Sequence, residues 1–103
     1  MRGMSETMRD YELVYIANSQ LDDEALATLN QRVSGWITAA NGTVNEPNVW
    51  GRRNLAYAIN KQSEGIYVQL NFQLVPSASR ELDRNLRLEE SILRHLVIRL
   101  GED

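Results

Sequence analysis

The stretch IYVQLNFQLV, residues 66–75, carries the clearest structural signal in the chain. Its apolar side chains recur at every second position, at Ile66, Val68, Leu70, Phe72 and Leu74. The positions between the later ones are polar, at Gln69, Asn71 and Gln73. Because successive side chains of a strand point to opposite faces of a sheet, this period predicts a strand of an antiparallel sheet that is covered on one face and open on the other.

Three further strands are predicted on the same reasoning. Residues 11–17 place four side chains on the covered face, namely Tyr11, Leu13, Tyr15 and Ala17. The segment 49–59 supplies another strand, which begins at Thr43 in its longest form, and ILRHLVIR at 92–99 supplies the last. The intervening NKQSEG, residues 60–65, predicts a hairpin loop with Gly65 in the turn.

Two helices are predicted between these strands. Asp22 in LDDEAL can cap the first helix, and the two acidic residues after it favour a helix start. Apolar residues then recur at helical spacing, at Leu26, Leu29, Val33, Trp36 or Ile37, and Ala40. Asn41 and Gly42 are typical of a left-handed helix end, and Pro76 is suited to the first turn of the second helix.

The order strand, helix, strand, strand, helix, strand predicts an α+β fold. The economical packing is a ferredoxin-like βαββαβ sandwich, in which a four-stranded antiparallel sheet carries both helices on one face. Residues 8–103 are predicted to form this single domain. Residues 1–7 are polar and are predicted to be a frayed N-terminal extension.

The composition excludes several classes of protein. The chain has 43% apolar and 24% charged residues, which is ordinary for a globular domain, and it has no cysteine for disulfides or thiolate metal sites. No apolar run approaches the roughly 20 residues that a membrane span needs. The first residues, MRGMSETMRDYE, lack the apolar centre of a secretory signal. We therefore expect a cytoplasmic protein that does not contact a membrane.

The net charge of −3 hides an asymmetry along the chain. The range 1–50 holds three cations against seven anions, whereas 51–103 holds eight cations against seven anions. Ten of the eleven cations are arginine, whose planar guanidinium binds phosphate through two hydrogen bonds. The acidic balance nevertheless argues against strong nucleic-acid binding by this chain alone, since the sequence-independent part of such binding is electrostatic.

The sequence offers no catalytic constellation. His95 is the single histidine and lies within a predicted strand, so a structural or solvent-facing role is expected for it. Glu89 and Glu90 are adjacent rather than opposed, and the glycines form no phosphate-binding loop. An RNA-recognition motif is also excluded, because EGIYVQLNF begins with an acid and offers only Tyr67 as an aromatic on the open face. We expect neither an enzyme nor a cofactor or metal site.

Three segments carry a family resemblance. MRDYE opens the first strand at residues 8–12, WGRRNLAYAINK at 50–61 is followed by EGIYV at 64–68, and LDRNLRLEESILRHLVI spans 82–98. With these segments the chain resembles the family of the sixth protein of the bacterial small ribosomal subunit. The middle motif carries the most specific match, at Gly51, Arg52, Arg53, Leu55, Ala56, Tyr57, Ile59 and Lys61.

The resemblance implies a structural component of the ribosome with the sandwich fold. Members of the family pair with the eighteenth small-subunit protein and dock with it on the central domain of the small-subunit ribosomal RNA. A basic partner would explain how an acidic chain joins an RNA particle, because complementary charge favours the protein pair. The alternative is a homodimeric regulatory domain of the same fold that binds a small molecule. No small-molecule substrate is expected if the resemblance holds.

The resemblance also suggests RNA contacts among the cations. Arg52 and Arg53 point to opposite faces of a strand, so we expect one to reach phosphate and the other to pair with an acid or to lie at the sheet rim. The remaining candidates are Arg9, Arg94 and Lys61, which lie near strand starts and in the hairpin loop.

Two aromatic residues of the middle motif are candidates for partner binding. Trp50 is suited to the centre of a protein interface, but packing in the core is the favoured interpretation for this residue. Tyr57 is expected on a sheet face or in the core rather than as a platform for base stacking. Gly51, between Trp50 and the two arginines, is expected either in a β-bulge or in a local turn.

Overall fold

In the computed structural model, which describes residues 7–101, five strands and two α-helices follow one another along the chain. The elements are β1 (Arg9–Asn18), α1 (Asp23–Ala39), β2 (Thr43–Val44), β3 (Asn48–Ile59), β4 (Gln62–Leu74), a 3-10 turn (Pro76–Ala78), α2 (Ser79–Leu88) and β5 (Ile92–Arg99). Apart from Thr7, the predicted N-terminal extension lies outside the described residues.

The sheet confirms the ferredoxin-like α+β fold. Its antiparallel strands run in the order β5, β1, β4, and both β2 and β3 pair with the outer side of β4. The sheet therefore has five strands rather than the four predicted, because the outer strand is interrupted between Val44 and Asn48. Pro47 in this gap has no N–H to donate to a ladder. The backbone N–H of Asn45 still donates to the carbonyl of Asn71 at 2.9 Å, so the chain stays beside β4.

The core forms on the face of the sheet that the periodicity predicted. The fully buried side chains of β1 and β4 include Tyr15, Leu13, Leu70, Leu74 and Val68. The two helices cover them with Leu29, Val33, Ile37, Leu82 and Leu86. Burying each of these side chains contributes about 1.5–3 kcal/mol to folding. Both helices therefore lie on one face, and the opposite face of the sheet stays open.

The predicted bounds of α1 follow from its capping residues. The Asp22 carboxylate accepts a hydrogen bond from the Ala25 backbone N–H at 2.8 Å, as the sequence predicted. At the other end Asn41 adopts a φ of 65°, and the Gly42 N–H donates to the Ile37 carbonyl at 2.9 Å. This is a Schellman ending in which asparagine supplies the left-handed residue.

The β3–β4 hairpin differs from the predicted NKQSEG loop. The turn consists only of Asn60 and Lys61, whose φ angles of 50° and 66° match the two-residue turn that continues the twist of the strands. Gly65 was therefore wrongly predicted in the turn: it lies within β4, opposite Asn18 of β1 and Arg53 of β3. A Cβ at position 65 would lie 2.2 Å from Cγ2 of Ile16, so glycine is required there by close packing.

Strand β3 is irregular at two places. Val49 pairs with Val68 and Gly51 with Tyr67, so Trp50 is the extra residue of a β-bulge. Gly51 has a φ of 102°, a conformation that other residues rarely adopt, and the bulge alternative predicted for it is confirmed. Further along, the ladder leaves four residues of β3, 55–58, opposite one residue of β4.

Candidate nucleic-acid interface

The open face of the sheet carries a band of apolar side chains. The pairing register places Val14 and Ile16 of β1 beside Leu96 of β5 and Tyr67 of β4. Leu96 is 57% exposed and Ile98 on the same strand is 38% exposed. We call Val14, Ile16, Tyr67, Leu96 and Ile98 the apolar band. No helix of the described chain covers it, since both helices pack on the other face.

A bulge sets an aromatic stack at one side of this band. The extra residue of β3 turns the indole of Trp50 onto the open face, where it stacks on the ring of Tyr67. The ring centroids are 6.2 Å apart and the planes are 6° from parallel. Trp50 is 41% exposed, so the core position considered for it is wrong. The guanidinium carbon of Arg53 lies 5.4 Å from the Trp50 ring and 5.9 Å from the Tyr67 ring.

A second arginine and tyrosine pair lies nearby on the same face. Arg94 of β5 donates from Nη1 to the Tyr57 hydroxyl at 2.9 Å, and its guanidinium carbon lies 5.6 Å from the ring centroid. Tyr57 is 62% exposed, which fits the predicted sheet-face position rather than a core position. The two side chains border a shallow cavity of about 120 Å³, together with Ile16, Leu55, Ala56, Ile59 and Tyr67.

Arg52 points away from this face and binds the loop between β1 and α1. Its Nε and Nη2 donate to the Ser19 carbonyl at 3.2 and 3.0 Å, and Nη2 also donates to the Leu21 carbonyl at 3.2 Å. Within residues 7–101 neither Arg52 nor Arg53 forms an ion pair, so the expected partner acid is absent there. Arg52 instead holds backbone carbonyls, and Arg53 rests on aromatic rings.

Four of the five candidate RNA-binding residues share one end of the sheet. Arg53 lies opposite Gly65, Arg94 opposite Ile16, and Lys61 is in the adjoining turn. Arg52 lies next to Arg53 in β3. Arg9, in contrast, opens β1, seven residues before Ile16, which at a strand rise of about 3.4 Å places it roughly 24 Å away. The structure thus groups Arg52, Arg53, Lys61 and Arg94, which we call the hairpin-end cluster.

A second group of arginines was missed by the sequence analysis. A groove of about 740 Å³ lies between α2 and β5, and its lining includes Arg80, Arg84, Arg87 and Arg99. The signal was present in the sequence, because positions 80, 84 and 87 follow helical spacing and lie on one face of α2. The aromatic stack at Tyr67 was also not predicted, since its partner Trp50 is distant in sequence and reaches Tyr67 only because of the bulge.

The chain shows no arrangement suited to catalysis in its described part. Nε2 of His95 lies 2.7 Å from Oδ1 of Asp83, whose Oδ2 accepts from Arg87 at 2.9 Å. The histidine ring is therefore held against α2 in a structural pair. Among residues 7–101 no group of three or more His, Cys, Asp or Glu side chains could hold a metal ion. Neither described helix has the length and apolar character needed to cross a membrane.

Known proteins match this chain over nearly its whole length. A family model described as Ribosomal protein S6 matches residues 10–99. The small ribosomal subunit protein bS6 of Salinispora tropica is 47% identical over 92 residues, covering 89% of this chain and 96% of that protein. The bS6 of Desulforamulus reducens is 40% identical over 95 residues, covering 92% and 100%.

The fold matches a solved structure of the same family. The crystal structure of 30S ribosomal protein S6 from Thermotoga maritima superposes with a TM-score of 0.84 at 27% identity, covering 91% of this chain and 89% of that chain. The family resemblance predicted from the three sequence segments is thus confirmed by both sequence and structure. The chain belongs to the ribosomal protein S6 family.

Proposed function

We propose that the chain binds the central domain of the small-subunit ribosomal RNA together with the eighteenth small-subunit protein, with the hairpin-end cluster at the RNA and the apolar band at the protein partner. The family makes the chain a structural, non-enzymatic component of the small ribosomal subunit, located with the ribosome in the cytoplasm. The regulatory homodimer that binds a small molecule is not favoured by any of the matched proteins.

The observation that carries the proposal is the placement of Arg53 and Arg94. Both guanidinium groups lie on exposed aromatic rings rather than on carboxylates, so their positive charge is not cancelled by an ion pair. Stacking restricts each side chain while leaving N–H groups directed away from the ring. Such guanidinium groups are suited to phosphate oxygens, which they would bind without reading the base sequence.

The partner protein is proposed to cover the apolar band. Exposed apolar side chains that adjoin one another mark interaction surfaces on small domains. Trp50 lies at the side of this band with its ring already fixed by Tyr67, so little side-chain freedom would be lost on binding. Tyr57 would lie between the protein and RNA surfaces, because it contacts Arg94 and borders the cavity next to Ile16.

The other candidate cations have different proposed roles in RNA binding. Arg52 holds the β1–α1 loop through the carbonyls of Ser19 and Leu21, and its remaining donors would reach phosphate from that position. Lys61 would add charge at the hairpin tip. Arg9, at the distant end of β1, would contact RNA only if the RNA extends along the sheet.

The experiment compares four chains in equilibrium binding to a central-domain RNA fragment. They are the wild type and the single variants Arg53→Gln, Arg94→Gln and Arg32→Gln, each measured with and without the purified eighteenth protein. Arg32 is the matched control, because it pairs with Glu89 at 2.8 Å on the helix side. We expect tight binding only in the three-component mixture.

Each cluster variant should weaken the three-component complex by about 10- to 150-fold, the range expected for the loss of one charged hydrogen bond. Arg32→Gln should bind like the wild type once its folding is verified by circular dichroism. Equal affinities for all four chains would overturn the assignment of the hairpin-end cluster. Full binding by the chain alone would overturn the shared recognition.

A further inference from the structure

The groove between α2 and β5 has the form of an open channel along a helix. Arg80, Arg84 and Arg87 line one wall, and Arg99 of β5 lies on the other. The floor is formed by Tyr11, which is 5% exposed, and by the partly buried Val97. At a rise of about 1.5 Å per residue, the three helix arginines extend over roughly 10 Å.

The charges in this groove are unequally satisfied. Both carboxylate oxygens of Asp83 are engaged, Oδ1 by His95 and Oδ2 by Arg87. Arg80 and Arg84, in contrast, are exposed and make no hydrogen bond, ion pair or ring contact with any residue of 7–101. As like charges four residues apart they destabilise an isolated helix by about 0.2–0.5 kcal/mol. By the same rule their i, i+3 neighbours Asp83 and Glu81, which also line the groove, offset this cost, so the positive charge of the two arginines adds little to the stability of the fold.

We propose that the α2–β5 groove binds a second segment of RNA backbone, separate from the segment at the hairpin-end cluster. The inference rests on the proposed function, since it takes ribosomal RNA as the anion. A single phosphate is too small to contact arginines that are spread along two helical turns. Successive phosphates of one RNA strand could contact them one after another. The groove floor offers no exposed aromatic ring for a base, so the contacts are to backbone and not to sequence.

The groove lies far from the hairpin-end cluster. Arg99 is opposite Tyr11 on β1, whereas Arg94 is opposite Ile16, five residues further along the strand. In addition, Arg99 lies beside α2 on the helix side, whereas Arg94 lies on the open face. One rigid domain would thus hold two RNA segments at opposite ends of the sheet, which fixes their separation.

The test uses directed cleavage of RNA in small subunits that contain the full-length chain. The chain has no cysteine, so a single introduced cysteine can carry a tethered iron chelate that produces hydroxyl radicals. Glu81→Cys places the chelate in the groove, Ser63→Cys places it near the hairpin turn, and Thr38→Cys on the exposed part of α1 is the control. Cleavage positions are then mapped by primer extension.

We expect Glu81→Cys and Ser63→Cys to cleave two different RNA segments, and Thr38→Cys to cleave neither. Cleavage from residue 63 without cleavage from residue 81 would overturn the groove proposal while leaving the proposed function standing. No cleavage from either position would overturn both. Cross-linking of residue 81 to an acidic protein segment, without RNA cleavage, would also overturn the groove proposal.

A salt titration of the three-component complex provides a quantitative check. The double variant Arg80→Gln with Arg84→Gln removes two phosphate contacts, so the slope of log affinity against log salt should become shallower by about 1.4–1.8. The control variant Thr28→Glu with Gln31→Glu makes the same change in net charge on α1 and should keep the wild-type slope. Identical slopes for the two double variants would contradict a direct contact.

Discussion

Replacing Gly65 by alanine tests whether close packing of β4 against β1 explains the glycine within the strand. The added Cβ would lie 2.2 Å from Cγ2 of Ile16, whereas ordinary van der Waals contact begins at 3.4 Å. Ile16 cannot withdraw easily, because its side chain is branched at Cβ and its backbone is held on both sides by β4 and β5.

The expected cost is a balance of two opposing terms. Overpacking of this kind costs about 1–3 kcal/mol. Gly65 has a φ that other residues can adopt, so alanine returns about 0.4–1 kcal/mol by restricting the unfolded chain. We therefore expect Gly65→Ala to lower the free energy of unfolding by about 1–2 kcal/mol. For a domain of this size that corresponds to a fall in melting temperature of about 4–16 °C.

The assay is equilibrium urea unfolding followed by circular dichroism, applied to a double-mutant cycle. Ile16→Ala removes the atom that clashes, so alanine at position 65 should cost little or nothing in that background. Gly35→Ala is the matched control: Gly35 lies within α1 with no atom near its added Cβ, and the change should stabilise by about 0.5–1 kcal/mol. A neutral Gly65→Ala, or costs that simply add in the cycle, would refute the packing argument.

Three further predictions concern stability. Arg52→Ala should lower the free energy of unfolding by about 1 kcal/mol, because the carbonyls of Ser19 and Leu21 lose the hydrogen bonds that the exposed guanidinium donates to them. An unchanged free energy in chemical unfolding would show that these hydrogen bonds do not stabilise the loop. Burial raises the pKa of Tyr15 above its ordinary 10.0, so stability is intact below that pH and should fall above it, by up to about 1.4 kcal/mol per pH unit. Tyr15→Phe should remove this loss of stability at alkaline pH. Equal profiles of stability against pH for the wild type and the variant would exclude Tyr15 as its cause. Asn41→Ala should cost about 1–2 kcal/mol by thermal unfolding, because alanine is strained at a φ of 65°; an unchanged melting temperature would argue against that strain.

The sequence predicted those parts of the fold that depend on local periodicity. Strand positions on the covered face, the Asp22 cap and the bounds of β5 all depend on residue spacing or on one side chain, and each was found as predicted. Gly65 was misplaced because glycine is common both in turns and in tightly packed strands. Only the distance to Ile16, a residue 49 positions earlier in the chain, distinguishes the two cases.

The candidate site was predicted in its residue types but not in its contacts. The motif 50–61 identified the segment, but sequence alone cannot show that one extra residue turns Trp50 onto the open face. In the same way Arg52 and Arg53 are identical in type and adjacent, yet one binds loop carbonyls and the other lies on rings. These differences depend on the register between β3 and β4, which non-local pairing determines.

The interruptions of β3 also affect the behaviour of newly made protein that has not yet joined a particle. A smooth outer strand would offer continuous backbone hydrogen bonds to a second copy and would promote aggregation. Here the gap at Pro47, the bulge at Gly51 and the three extra residues within 55–58 leave only short regular stretches on that side. The same irregularity that presents Trp50 therefore makes this edge of the sheet a poor template for pairing with a strand of a second copy.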